Sequence, residues 1–506
     1  MPAWAVLHEN KLSMNGCAAF LARHASRHGN PMALMHCNRQ GDLQSLSWLE
    51  LAGQVAQQLD AIDRLGLAPR DRVVHALGNT ADGVAVALAS LIAGTIEVPL
   101  PPFAQTGSFD SAQALIGGTW LERDAIRRPG HVPDFISLQA REQQHDAHHP
   151  ALILFTSGST GQPRGVTLSR LNLFSNARAK LAAAPQRIDD RRLTVLPLYH
   201  AYARTCDLMT WLLSGGTLGV AAGWEGWQRL APILKPTLIN TVPSLARRLL
   251  AAEGMETEAA SQLRIIGCGG AAIDSDSFAR FTALGVTVIQ GYGLTEASPV
   301  VCSATPSNAR ADRVGCPVAG CETRIGADGR LAIRGNGVML GYWNDPLATA
   351  EKIADGWLDT GDCVEVDPSD GQLRILGRVD DRITLSNGLK FFPGSIEKCV
   401  ASLPGIRHAL LIPNDRHVDL FIDVAPELRP ITGGTVDIEQ ALQQFPSWQR
   451  PRRILITARP LAETPGATTA KGTLCRPVAV AVCRAQPIPV NLDCQNNEIQ
   501  AQDASD

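Results

Sequence analysis

Leu152-Ile-Leu-Phe-Thr-Ser-Gly-Ser-Thr-Gly-Gln-Pro-Arg-Gly-Val-Thr167 is the stretch on which the reading of the chain turns. Ala151 to Phe155 is an apolar run and reads as a short buried strand. A segment dense in Gly, Ser and Thr follows, and a polar, helix-compatible segment begins near Ser169. Glycines let successive backbone N–H groups point into one concavity, and the hydroxyls add donors. Arg164 adds a fixed positive charge suited to phosphate oxygens. Together these form a cradle for a polyphosphate. No Gly-Lys-Ser/Thr closes the loop, so it is not a Walker loop. Taken alone, an ordinary Gly/Ser connection is the plainer reading.

Working outward, the flanking sequence alternates strand and helix. Residues 13 to 28 have helical spacing of apolar positions. Ser47 opens a second helix as a cap, with Glu50 three residues on. Arg72-Val-Val-His reads as a buried strand, Ala85 to Gly94 as a helix packed on a sheet, and Glu97-Val-Pro-Leu ends the unit. This rhythm implies a parallel sheet. After the loop, Arg192 to Leu198, Thr237 to Ser244, Leu263 to Ala271 and Val286 to Gln290 read as strands ending in turn residues. Leu208 to Leu213 looks helical. From Gly315 to Gly377 the pattern changes to short alternating strands with Gly/Asp turns, a small β-rich subdomain. A compact unit follows Asp380. The expected organisation is a large α/β domain of parallel sheets over 1–379, a small mobile α+β domain over 380–482 and a disordered tail over 483–506.

Composition narrows the class. A chain of 506 residues is too long for one core. A net charge of −3 points to neither nucleic acid nor an anionic membrane as the main partner. No apolar run reaches the length of a membrane span, and the N-terminus lacks a signal-peptide layout. The 12 cysteines are scattered without a CxxC pair, which reads as reduced thiols in a cytoplasmic protein.

Further motifs follow the loop in order: Gly291-Tyr-Gly-Leu-Thr-Glu-Ala-Ser-Pro299, Gly356-Trp-Leu-Asp-Thr-Gly-Asp362, Ile375-Leu-Gly-Arg-Val-Asp-Asp381 and Thr469-Ala-Lys-Gly-Thr-Leu-Cys-Arg476. With the loop, they resemble the successive core motifs of the adenylate-forming superfamily, which includes acyl-CoA synthetases, firefly luciferase and peptide-synthetase adenylation domains. The resemblance spans roughly residues 15 to 478. The loop resembles the family's Thr-Ser-Gly-Ser/Thr-Thr-Gly-x-Pro-Lys-Gly, with Arg164 in place of the lysine.

The resemblance implies ATP, Mg2+ and CoA as co-substrates and cofactors, and it implies roles residue by residue. Thr156, Ser157, Gly158, Ser159, Thr160, Gly161 and Arg164 would cradle phosphates. Gly269, Gly270 and Ala271 would line the adenine and acyl pocket. Tyr292 offers a face for adenine stacking, and Thr295 can bond the α-phosphate. Glu296, with Thr160, would hold Mg2+. Asp362 and Arg378 would bind the ribose, with Ile375 beside them. Lys471 is the expected catalytic lysine, an ammonium bridging carboxylate and phosphate oxygens as a carboxylate attacks the α-phosphorus. His200 joins the catalytic set. Asp380 falls on the hinge about which the family's small domain rotates. Taken singly, these residues read more plainly as caps, surface ion pairs or loop charges.

Leu196-Pro-Leu-Tyr-His-Ala-Tyr-Ala-Arg-Thr205 and Leu385-Ser-Asn-Gly388 resemble long-chain acyl-CoA synthetases, whereas Thr384 departs from the lysine found in the commonest pattern. A fatty acid in an apolar tunnel between residues 200–213 and the 240–271 strands is therefore the expected substrate, with CoA as acceptor. The alternatives are loading of an acyl carrier protein and a nucleotide-binding protein without catalysis. Retention of Glu296, Asp362, Arg378 and Lys471 together argues against the last.

Overall fold

A computed structural model describes residues 16–38, 41–102, 116–122, 133–157, 163–251, 260–415, 417–424, 438–457, 459–468, 474–485, 487–492 and 499–501. The chain forms two compact units. The first takes in residues up to 326, with 331–360 and 365–374; the second takes 327–330, 361–364 and the chain from 375.

The first unit holds two large sheets. Among the described residues, one has nine strands. Its centre is parallel: Thr287–Gly293, Ile265–Cys268, Leu238–Thr241, Arg191–Thr194, Thr217–Val220 and Met32–Cys37 lie side by side in that order. Antiparallel pairs finish both edges, Val300–Ser303 on one side and Leu43–Ser47 on the other. Six adjacent strands thus deliver their carboxyl ends to one side of the sheet, where open α/β sheets place ligands. The second sheet has six strands and contains Pro150–Ser157 and Pro163–Ser169.

That last pair corrects the sequence reading. The Gly/Ser loop is the tip of an antiparallel hairpin, with Leu152 opposite Leu168 and Thr156 opposite Arg164. Val166 and Leu168 alternate with smaller residues, and Gly165 to Ser169 are buried, so a strand forms where a loop is expected. The helix Arg170–Ala183 follows it, starting near Ser169 as the sequence reads. Ser169 caps it by accepting from Asn172 N, and Asn172 reciprocates by accepting from Ser169 N at 2.7 Å. The cap at Ser47 is as the sequence reads: its hydroxyl accepts from Glu50 N, and Glu50 accepts from Ser47 N at 2.7 Å.

The short strands Cys321–Ile325 and Arg330–Gly335 pair antiparallel, as the alternation after Gly315 implies. In the second unit, Ile406–Asn414, His417–Val424 and Arg453–Thr457 form a sheet over a core that includes Leu411, Leu420 and Ile456. The helix Arg476–Ala485 runs past the expected domain end, and strand Pro487–Leu492 pairs with Arg453–Thr457 within the stretch expected as a tail. Ile488, Val490 and Leu492 supply the period-two pattern there.

Candidate active site

In the first unit the site grows from the root of the hairpin. Gly158, Ser159, Thr160 and Gly161 lie outside the described residues, and of Ser157 only the backbone is described, opposite Pro163. Arg164 is described. The short strand Gly341–Tyr342 joins the free edge of Pro163–Ser169, with Tyr342 opposite Val166. The Arg164 guanidinium lies 5.3 Å over the Tyr342 ring and 3.9 Å from Asp345. The Tyr342 hydroxyl donates to Glu296 Oε1 at 2.8 Å. Burial and the neighbouring Glu296 carboxylate push the Tyr342 phenol up, so it stays a protonated donor.

Glu296 occupies a single 3₁₀ turn, Thr295–Ala297, just past the carboxyl end of Thr287–Gly293. Its carbonyl accepts from Met339 N at 2.8 Å, which fixes the turn against the segment leading to Tyr342. The fold therefore brings Glu296 and Arg164 to one side chain that sequence reasoning does not single out. One signal was present: the chain has four tyrosines, and three of them, Tyr199, Tyr202 and Tyr292, already fall in the motifs above. Tyr292 is half-buried in the same strand, opposite Cys302.

Gly269, Gly270 and Ala271 follow strand Ile265–Cys268. Gly269 N bonds Thr241 O at 3.1 Å, and Gly270 has φ +79°, a conformation that favours glycine. A Cβ at position 269 would stand 2.9 Å from Tyr202 Cζ, so the Tyr202 ring lies flat on the glycine. Its hydroxyl reaches Asn240 Oδ1 at 3.3 Å. His200 precedes the turn carrying Tyr202, half-buried, its ring 4.6 Å from that of Tyr199.

Among the described residues, the space between this segment and the strands holds a polar network that the expectation of an apolar tunnel did not include. Arg204–Met209 winds as a π-helix, a form concentrated at functional sites. It turns Asp207 inward, fully buried. Asp207 accepts from Arg192 Nη1 at 2.7 Å, Thr194 Oγ1 at 2.8 Å and Asn240 Nδ2 at 2.7 Å. Burial pushes the Asp207 carboxyl up, and Arg192 opposes that shift. Leu208 and Leu212 are buried as expected, but beside them lies a polar network and a cavity of about 20 Å³ bordered by Cys206, Asn240 and Gly267. Arg204, of the same motif, donates to buried Glu97 at 2.8 Å, which also meets His75 at 2.9 Å. Burial opposes ionisation of Glu97, but Arg204 and His75 outweigh it and hold the carboxyl below its ordinary range.

The second unit carries its own part. Arg378 Nη1 lies 3.3 Å from Asp362 Oδ1, and the guanidinium rests against Gly361, where a Cβ would meet it at 2.6 Å. Asp362 is 13% exposed and Arg378 47%. Ile375 is half-buried in the same strand, and Asp380 is exposed in a 3₁₀ turn, Val379–Asp381. Lys471 lies outside the described residues; Thr468 and Leu474 on either side of it bridge to each other. Two residues beyond Leu474, Arg476 binds Glu397 at 2.8 Å and approaches Asp381 at 3.9 Å.

With this geometry in place, comparison with known proteins identifies the class. The AMP-binding enzyme family matches residues 109–343, and the AMP-binding enzyme C-terminal domain matches 380–486, together more than half of the chain. The chain belongs to the adenylate-forming (AMP-binding) enzyme superfamily, and within it to the AMP-forming acid–thiol ligases. It is 28% identical to a feruloyl-CoA synthase of Amycolatopsis sp, covering 81% of this chain and 87% of the relative. It is 25% identical to the long-chain-fatty-acid–CoA ligase FadD15 of Mycobacterium bovis, over 75% and 77%. The structure of the anthranilate CoA ligase AuaEII in complex with anthranoyl-AMP superposes with a TM-score of 0.77 at 18% identity, covering 93% of this chain and 98% of that one, a likeness of fold.

Proposed function

We propose that this protein activates a carboxylic acid with ATP, forming acyl-AMP and pyrophosphate, and then transfers the acyl group to the thiol of CoA. The observation that carries the reading is the Arg164–Tyr342–Glu296 cluster at the root of the Gly/Ser hairpin, where a phosphate-binding cation and a hard-oxygen carboxylate stand on one support. Thr156 to Gly161 and Arg164 hold the β- and γ-phosphates. Thr295 holds the α-phosphate, and Tyr292 with Gly269, Gly270 and Ala271 receives the adenine. Asp362 and Arg378, a carboxylate and a guanidinium side by side, take the ribose hydroxyls, with Ile375 packing beside them. A lone carboxylate such as Glu296 suits Mg2+, which is normally shared with substrate phosphates, and Thr160 would join it. Mg2+ supplies charge neutralisation on the triphosphate.

The acid's carboxylate oxygen attacks the α-phosphorus and the P–O bond to pyrophosphate breaks. Lys471 carries the developing charge on both groups, and His200 meets the reacting carboxylate. The thiol then attacks the acyl carbon, and AMP leaves with the carboxylate oxygen it gained. The small domain, 380–482, turns about Asp380 between the two steps.

For the acid, a compact and aromatic group is favoured. Tyr202 lies flat on Gly269, and the neighbouring Asp207–Asn240 network is polar, which supports a short acid over a long alkyl chain. Feruloyl-CoA synthase and the anthranilate CoA ligase bear names of such acids. A fatty acid is the second reading, on the motif Leu196 to Thr205 and the likeness to FadD15. Pyrophosphate release across hydroxycinnamic, indole, benzoic and fatty acids, with and without CoA, separates them. Turnover of aromatic acids above fatty acids is expected. Preference rising with alkyl chain length selects the second reading, and release independent of any acid defeats both.

A further inference from the structure

We propose that Tyr342 is a positioning residue for adenylation, holding Glu296 through its hydroxyl and Arg164 through its ring, so that the metal-binding carboxylate and the phosphate-loop cation are set as one unit. The proposal rests on the nucleotide reading above. Tyr342 is 7% exposed and sits on the strand edge next to the hairpin, so its ring has little freedom. Its hydroxyl–Glu296 bond, 2.8 Å, fixes one carboxylate oxygen and leaves the other for a cation. Arg164 stacks on the ring of the same side chain, at 5.3 Å, with Asp345 3.9 Å from the guanidinium. Asp345 is itself fixed, because its carboxylate caps the helix Pro346–Lys352 by accepting from Ala348 N at 3.0 Å. A guanidinium stacks on a ring face where an ammonium would not lie flat. Arginine at 164 is therefore matched to tyrosine at 342.

The test is equilibrium binding of ATP by calorimetry as Mg2+ is titrated, alongside pyrophosphate exchange. Tyr342→Phe removes only the hydroxyl. It should raise the Mg2+ concentration for half-maximal ATP binding about tenfold, the loss of one charge-assisted hydrogen bond, and lower kcat for adenylation while KM for the acid stays unchanged. Arg164→Lys should weaken ATP binding in the wild-type background and cost nothing further in Tyr342→Leu, where the ring is already gone. Wild-type Mg2+ dependence in Tyr342→Phe overturns the proposal, as do additive costs for the Arg164→Lys and Tyr342→Leu pair. Glu296→Gln separates the two levels of argument: unchanged Mg2+ dependence there removes the nucleotide reading itself. Should Tyr342→Leu fail to fold, as judged by thermal unfolding without ligand, Tyr342→Phe alone decides.

Discussion

Asp207→Asn isolates the buried charge at the centre of the first unit. In the native chain three donors converge on two oxygens, Arg192 and Asn240 on Oδ1 and Thr194 on Oδ2. An asparagine keeps the shape. Its oxygen can take the Oδ1 place, and its amide can donate to Thr194, whose hydroxyl rotates to accept. What is lost is the charge opposite Arg192, itself 5% exposed. Leaving one partner of a buried ion pair uncompensated costs about 3–5 kcal/mol. For a unit of this size that lowers the unfolding midpoint by roughly 4–6 °C. Differential scanning calorimetry, with hydrogen exchange at the Leu238–Thr241 strand to assign the transition, measures it. Replacing both charges, Arg192→Met with Asp207→Asn, should recover at least half of the loss. Well below the midpoint KM for the acid should stay near wild type in Asp207→Asn, because Asn240 keeps its anchor. It should rise in Asp207→Ala, which removes one of two anchors of the Asn240 amide, leaving only the Cys206 carbonyl to hold it under Tyr202. A midpoint within 1 °C of wild type for Asp207→Asn, or a double variant worse than either single, would refute the reasoning.

Lys471→Ala should cut acyl-adenylate formation by at least about 10²–10³-fold, the value of one preorganised electrostatic donor, while ATP still binds in calorimetry; adenylation near the wild-type rate would end that assignment. Asp380→Pro fixes φ and removes a donor in the turn Val379–Asp381. Pyrophosphate release should persist while thioester formation, followed by chromatography, collapses; equal loss of both steps would indicate misfolding instead. Tyr202→Ala should open the space over Gly269, raising KM about tenfold or more for a compact acid and improving turnover of bulkier ones in the pyrophosphate assay. Unchanged selectivity would place the acid elsewhere.

What could be read from sequence was local. The Ser47–Glu50 cap lies within one helical turn, and the Gly/Asp-punctuated strands after Gly315 carry their own period. Strand Pro163–Ser169 escaped because glycine, proline and arginine open it, which are loop residues by composition; only pairing with Pro150–Ser157 makes it a strand. The Asp207 network was illegible for another reason. Arg192 and Thr194 come from one strand, Asn240 from another and Asp207 from a π-helical turn that aims it inward. Spacing at 3.6 residues per turn does not foretell that. Tyr342 meets Glu296 across 46 positions of sequence, a contact made by sheet topology. The motif residues that could be named in advance are those whose backbone setting is short-range, a turn after a strand or a glycine pair. Their supports are not.

The central claim, that an acyl-AMP lies between acid and thioester, is tested most directly by following carboxylate oxygen. The protein is given an acid labelled with ¹⁸O in both carboxylate positions, ATP, Mg2+ and CoA, and the AMP released is examined by mass spectrometry. Attack of the carboxylate on the α-phosphorus followed by thiol attack on the acyl carbon leaves one ¹⁸O in the phosphoryl group of AMP, and that is the result expected. Unlabelled AMP, or label appearing in inorganic phosphate alongside ADP, would contradict the account.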